Sequence, residues 1–370
     1  MSLLDVFRPD VRAMHAYVVQ DAAGYIKLDA MENPFTLPPE LQAQLGQQLG
    51  AVALNRYPGT RINDLHAALR AYAHVPLEAG MVLGNGSDEL ISLLSVACAQ
   101  PGAVALAPLP GFVMYEAFAK QTGMRFVGVP LTADFELDGP AMLAAVREHS
   151  PALTYIAYPN NPTANLWDDD VIEQIVSAVA QNGAEGRPGL VILDEAYQPF
   201  ASKSYLARLA QHPHVLLMRT LSKFGLAGVR LGYMMGSKDL IEQIEKVRPP
   251  YNISVLNTEA ALFALTHVDE FERQASVIKS ERERLLLALS GMPGAKAFPS
   301  QANMILVRVA DSAAVFLALK ARGILIKNVA GLHSLLANCV RLTVGSSSEN
   351  DALIAALTEI LREPLINHPA

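Results

Sequence analysis

Polar side chains stand where three apolar runs end. "TYIAYPNNP" reaches Asn161, "VILDEAY" reaches Asp194 and Tyr197, and "LLMRTLSK" reaches Lys223. The three positions recur at roughly thirty residues, about one strand–helix unit each. In an open parallel sheet, ligands bind outside the carboxyl ends of the strands. Strands of that kind would crowd an amide, a carboxylate, a phenol and an amine onto one rim. A lysine amine whose surroundings disfavour the ammonium form makes a Schiff base with an aldehyde. A carboxylate opposite it keeps a pyridine nitrogen protonated, so that the ring draws electrons from a carbanion. A phenol and an amide suit the oxygen that such a ring carries beside the imine.

A second stretch, "GMVLGNGSDELISLL", adds an anion cup: Gly84 and Gly86 precede Ser87 and Asp88, which open a helix. Glycines let backbone N–H groups approach, and a helix N-terminus favours negative charge. Ser222 and Arg230, on either side of Lys223 in "RTLSKFGLAGVR", would complete the cup. Pyridoxal 5′-phosphate has a use for each of these groups. Taken singly they are ordinary. "GNGSDE" reads as a turn before a helix, Asn160-Asn161-Pro162 as a turn, Asp194-Glu195 as a solvated loop entry and Lys223 as a surface lysine. Their order along one chain is what points to the cofactor.

The elements that must position them read as alternating strands and helices, the pattern of a mostly parallel central sheet flanked by helices. Strands are predicted at 102–108, 125–130, 153–159, 190–196, 215–221 and 230–236, and helices at 87–100, 168–181 and 238–248. After residue 255 one long helical stretch, 257–290, leads into strand-like segments, a helix at 311–322 and a final helix at 349–362, an α+β unit with antiparallel strands. A chain of 370 residues exceeds one ordinary core. Two domains are therefore expected: a large α/β domain at 31–255, and a small α+β domain at 256–370 on which residues 1–30 dock.

Hydrophobic residues make up 51% and charged residues 18%, with a net charge of −7. No Lys/Arg cluster exceeds a pair, which argues against a nucleic-acid or anionic-membrane partner. The nine histidines lack metal-binding spacing, and Cys98 and Cys339 sit in apolar surroundings as thiols. The first dozen residues carry charges without an apolar core, and no apolar run reaches membrane-spanning length, so the cytoplasm is the expected compartment.

The segments "YPNNPTANLW", "VILDEAYQPF" and "RTLSKFGLAGVRLGY" resemble the signatures of fold-type I pyridoxal-phosphate aminotransferases. "LDAMENPF", "LNRYPG", "GNGSDELI" and "VRLTVGSSSEN" narrow the resemblance to the histidinol-phosphate aminotransferase family, from about Tyr17 to the last helix. It implies Lys223 as the Schiff-base lysine, Asp194 as partner of the pyridine nitrogen, and Tyr197 and Asn161 as contacts of the ring oxygen. It further implies Phe112 stacked on the ring, and the phosphate held by Ser87, Asp88, Ser222 and Arg230. Tyr57 would reach the cofactor of a neighbouring subunit, which implies a homodimer with shared active sites. Tyr17, Arg341 and Lys327 would meet the substrate. The implied reaction exchanges an amino group between L-histidinol phosphate and 2-oxoglutarate in histidine biosynthesis. The alternatives are an aromatic amino acid aminotransferase and a phosphothreonine-type decarboxylase. Members of the family carry asparagine where this chain has Met31, glycine where it has Ala164, and an arginine near Lys327. The loop between Lys223 and Arg230 is one residue shorter here than in many of them.

Overall fold

The structure is a computed structural model that describes residues 2–16, 19–183 and 186–362. Seven strands form its main sheet: β2 (Ala79–Gly84), β3 (Val104–Leu109), β4 (Arg125–Pro130), β5 (Leu153–Ala157), β6 (Leu190–Asp194), β7 (Val215–Thr220) and β8 (Gly232–Ser237). They follow β1 (Ile26–Lys27) in the chain and lie in the order β2-β8-β7-β6-β5-β3-β4. Strands β4, β3, β5, β6 and β7 are mutually parallel, and β8 runs antiparallel to both β7 and β2. The near-continuous apolar sequence of β5, β6 and β7 suits strands covered by helices on both faces. Their alternate residues feed different cores, as the two-residue period requires. Leu193 and Leu217 join one apolar cluster, while Ile192, Leu216 and Met218 join the cluster across the sheet. The predicted strands 153–159, 190–196 and 215–221 run one or two residues past the observed ends, 102–108 and 230–236 begin two residues early, and 125–130 coincides with β4. β2, which the sequence reading absorbed into the glycine turn, is an additional strand.

A second sheet comprises β9 (Lys296–Ala297), β10 (Met304–Arg308), β12 (Lys327–Asn328) and β13 (Cys339–Thr343) in the order β12-β13-β10-β9. All its pairs are antiparallel, and its inner residues Ile305, Val307, Val340 and Leu342 share a third core with Leu285 and Leu353 of the long helices. Strand β11 (Ile324–Leu325) pairs in parallel with β1 as a separate two-stranded sheet, which ties the segment before Asp29 to the C-terminal part of the chain. Earlier still the chain lies elsewhere. Arg8 donates to the carbonyls of Lys120 and Gln121, at 2.9 and 2.7 Å, at the end of the helix Met114–Gln121. A helix C-terminus leaves carbonyls without partners and carries partial negative charge, which explains a guanidinium there.

The single helix expected at 257–290 is two, Val255–Thr266 and Val268–Ser290, with His267 at φ −120° and ψ 35° between them. Thr266 Oγ1 donates to the Phe263 carbonyl, and His267 Nδ1 lies 2.8 Å from the same oxygen. These side chains occupy the acceptor that an unbroken helix would offer to the backbone. No described helix is long and apolar enough to cross a membrane. Cys98 is half-buried and Cys339 buried, both as free thiols.

Candidate active site

Because β5, β6 and β7 are parallel, their carboxyl ends share an edge, with Ala157, Asp194 and Met218 in register. The antiparallel β8 begins at that edge and β2 ends there, so Gly84, Gly86 and Gly232 arrive beside them. A cleft opens at this rim. Lys223, Asp194, Tyr197, Asn161, Ser87, Asp88, Phe112, Ser222 and Arg230 all line it. One edge of one sheet thus gathers nine of the predicted residues.

Lys223 follows β7 and is half-buried, its Nζ donating to the Ala30 carbonyl at 3.1 Å and lying 5.8 Å from the Tyr197 ring centroid. Removal from water, reinforced by the nearby Arg341 charge, lowers its pKa to about 8, so a substantial fraction of the amine is unprotonated at mildly basic pH. Asp194 is buried and ends β6. Burial pushes its carboxyl up to about 6, while two donors pull the other way: the Tyr115 hydroxyl on Oδ2 at 2.6 Å and the Ala196 N–H on Oδ1 at 3.1 Å. Among the described residues no cation pairs with it. A buried carboxylate so placed calls for a positive partner, and a protonated pyridine nitrogen is one.

Asn161 Nδ2 donates to the Tyr197 hydroxyl at 3.0 Å, and Arg341 Nη1 donates to Asn161 Oδ1 at 2.8 Å. On the far wall Arg230, at φ 54°, lies between the two sides of the cup, with Nη1 3.3 Å from Ser222 Oγ and Nη2 3.3 Å from Asp88 Oδ2. Gly86 caps the helix Ser87–Cys98 at φ 84° and ψ 170°, a conformation essentially confined to glycine. A β-carbon there would stand 2.6 Å from Arg230 Nη2. The cradle therefore combines helix N–H groups, a hydroxyl and a guanidinium around a space that only glycine keeps open. Amine, unpaired carboxylate, phenol and anion cup together fit pyridoxal 5′-phosphate, and no described group of His, Cys, Asp and Glu could hold a metal ion.

Three predicted residues stand outside the cleft. Arg341, on β13, is buried behind Asn161 and also donates to the Asp29 carbonyl at 2.6 Å. Lys327 on β12 is its cross-strand partner. Tyr57 is 77% exposed and stacks on Tyr251 with centroids 4.6 Å apart. Tyr17 lies outside the described residues.

The structure also shows what the sequence reading missed. Tyr115, three residues after Phe112, holds Asp194. Glu195 is no solvated loop residue: it is 1% exposed and forms an ion pair with Arg219 at 2.9 Å. An arginine inside the apolar run "VLLMRTL", beside a glutamate at the neighbouring strand end, was the available signal. Met31 and Ala164, the departures from the family pattern, share one apolar cluster with Tyr197 and adopt left-handed backbone, φ 52° and φ 64°. Asparagine and glycine favour that conformation, so the departures change the side chain and leave the path of the chain intact.

Fold and site define an aminotransferase, and the chain belongs to the class I and II aminotransferase family, whose sequence model matches residues 23–357. It is 68% identical to the histidinol-phosphate aminotransferase of Methylibium petroleiphilum, over 96% of this chain and 94% of that one. It is 62% identical to the histidinol-phosphate aminotransferase of Polaromonas naphthalenivorans over 96% of both chains. Among solved structures it resembles the histidinol-phosphate aminotransferase of Sinorhizobium meliloti in complex with pyridoxal-5′-phosphate. That likeness has a TM-score of 0.82 and 27% identity, over 96% of this chain and 97% of that one.

Proposed function

We propose that this chain exchanges an amino group between L-histidinol phosphate and 2-oxoglutarate, using pyridoxal 5′-phosphate, as a cytoplasmic homodimer. The observation that carries the reading is a half-buried amine and a buried, cation-free carboxylate in one cleft beside an anion cup. The relatives' names point to the substrate pair. In this reading residues 31–255 hold the cofactor, and 256–370, to which β1 of the N-terminal segment is tied, form the smaller domain beside it.

When bound, the cofactor supplies an aldehyde and a protonated ring that withdraws electrons from the substrate's Cα. Lys223 binds the cofactor, and its freed amine takes the Cα proton as general base. Asp194 holds the proton on the ring nitrogen. Tyr197, whose hydroxyl oxygen already accepts from Asn161, keeps its own proton to donate to the ring oxygen. Phe112 offers an apolar face, while the Ser87 and Asp88 backbone, Ser222 and Arg230 hold the phosphate. Arg341 receives an acid group of the substrate, and Lys327, opposite it across the strands, adds a point charge. Tyr17 is the proposed wall of the substrate pocket, and the exposed Tyr57 reaches the partner's cofactor.

Two results are expected of the cofactor site. Gly86→Ala drives Arg230 out of the cup and weakens cofactor affinity by about tenfold or more, as loss of one charge-assisted hydrogen bond predicts; equilibrium dialysis reads it. Tyr57→Phe leaves a dimer in sedimentation but raises cofactor dissociation by about tenfold. Steady-state rates with histidinol phosphate, phenylalanine and tyrosine as donors test the substrate. Comparable rates for all three would select an aromatic aminotransferase. Carbon dioxide release from phosphothreonine without oxo-acid exchange would select a decarboxylase.

A further inference from the structure

Asp194 has a partner that the cofactor scheme does not use. The Tyr115 hydroxyl donates to its Oδ2 at 2.6 Å, and the tyrosine is itself 2% exposed. The ring cannot swing away easily. It stacks on Tyr155 of β5 with centroids 4.5 Å apart and planes 7° from parallel, and Phe112 packs against it edge-on at 5.5 Å. With the Ala196 N–H on Oδ1, each carboxylate oxygen has one fixed donor, and rotating the carboxylate would break both bonds. The two donors therefore set the plane in which the remaining lone pairs face the cleft.

The surrounding charges work against ionisation. Asp88 from the helix Ser87–Cys98 and Glu195 from the adjoining residue are like charges, and Tyr155 and Tyr197 supply ring surface near the group. Lys223 enters the same cleft from the loop after β7. The Tyr115 proton stays on its oxygen, because burial and the neighbouring carboxylate push the phenol well above its usual range. It is a permanent donor to a carboxylate whose surroundings otherwise favour protonation.

We propose that Tyr115 is a positioning residue, whose hydroxyl orients Asp194 and keeps it ionised for the ring nitrogen of the bound cofactor. The inference rests on the cofactor reading above. The segment that opens the helix Met114–Gln121 then carries the proposed ring-stacking residue just before the helix and the residue that sets the carboxylate in its first turn. Phe112 meets the face of the ring, and Tyr115 acts on its nitrogen through Asp194.

The test is the pH dependence of pyridoxamine 5′-phosphate affinity, read by fluorescence quenching. That vitamer lacks an aldehyde, so Lys223 is not consumed, and its own phosphate titrates identically in every variant. Affinity falls toward acid as Asp194 takes a proton. In Tyr115→Phe, which keeps the ring stack, this acid limb moves upward by about one pH unit, while Tyr155→Phe leaves it in place. An unmoved limb in Tyr115→Phe, or an equal shift in Tyr155→Phe, overturns the inference. If Tyr115→Phe does not fold, a ring-fluorinated tyrosine installed at 115 keeps the shape with a more acidic hydroxyl. It must then move the limb downward, and no movement overturns the inference as well. A wild-type protein that stays colourless with pyridoxal 5′-phosphate removes the cofactor reading and this inference together. A coloured wild type with an unmoved variant limb removes the inference alone.

Discussion

Lys223→Ala is expected to lower turnover by about four orders of magnitude, since in the proposed mechanism one substitution removes both the cofactor's anchor and the general base. Borohydride treatment followed by mass spectrometry should find the trapped adduct on residue 223 of the wild type and nowhere on the variant. Wild-type turnover in Lys223→Ala would rule out the mechanism. The amine also leaves a signature in stability. Its folded-state pKa is lowered from 10.5 to about 8, so between those values the unfolded chain binds more protons than the folded one. Wild-type stability therefore rises with pH through that window and carries the full penalty of the buried ammonium below it. Lys223→Ala removes the penalty. Its stability relative to the wild type should be greatest below about pH 8 and shrink as the pH approaches 10.5, as urea denaturation at several pH values would show.

Arg219→Met should destabilise the fold by about 3–5 kcal/mol, because it leaves a buried carboxylate without its countercharge. The Glu195 side chain is fully enclosed, and it accepts from Arg219 Nε at 2.9 Å, from the Tyr205 N–H at 2.6 Å and from Ser204 Oγ at 3.0 Å. The effect should exceed that of the double variant Arg219→Met/Glu195→Met, in which neither charge remains. An apolar pair of similar volume commonly costs little or even stabilises. Denaturant midpoints of the wild type and these two variants decide it, and equal losses in the single and double variants would show that Glu195 carries no penalty for losing its countercharge. The location gives the pair a second consequence. Glu195 directly follows Asp194, the last residue of β6, and Arg219 lies on β7 four residues before Lys223. Breaking the bond loosens the two strand ends relative to each other, so Arg219→Met should also weaken cofactor binding, whereas a distant destabilising substitution of equal size would not.

Much of this site was legible because its parts are local. An apolar run that ends in Asp194 or Lys223 is visible in a few letters. A glycine pair before "SDELISLL" announces a turn and a helix, and the alternation of runs and amphipathic segments calls for a parallel sheet. The antiparallel C-terminal sheet was legible for the same reason. The break at His267 was not, since helical periodicity continues through it and only the Thr266 and His267 side chains divert the carbonyl of Phe263.

By itself the sequence determined the inventory: which groups stand at strand ends, which glycine precedes the helix Ser87–Cys98, and which residues can take part in the chemistry. Tertiary structure alone decided the partnerships. Strand order brought Gly86 against Arg230, helix packing set the Tyr115 hydroxyl on Asp194, and strand pairing turned an apparently solvated Glu195 into half of a buried ion pair. The physical reason is that backbone preference and apolar periodicity act over a few neighbouring residues, whereas a hydrogen bond or an ion pair between segments depends on how whole elements pack.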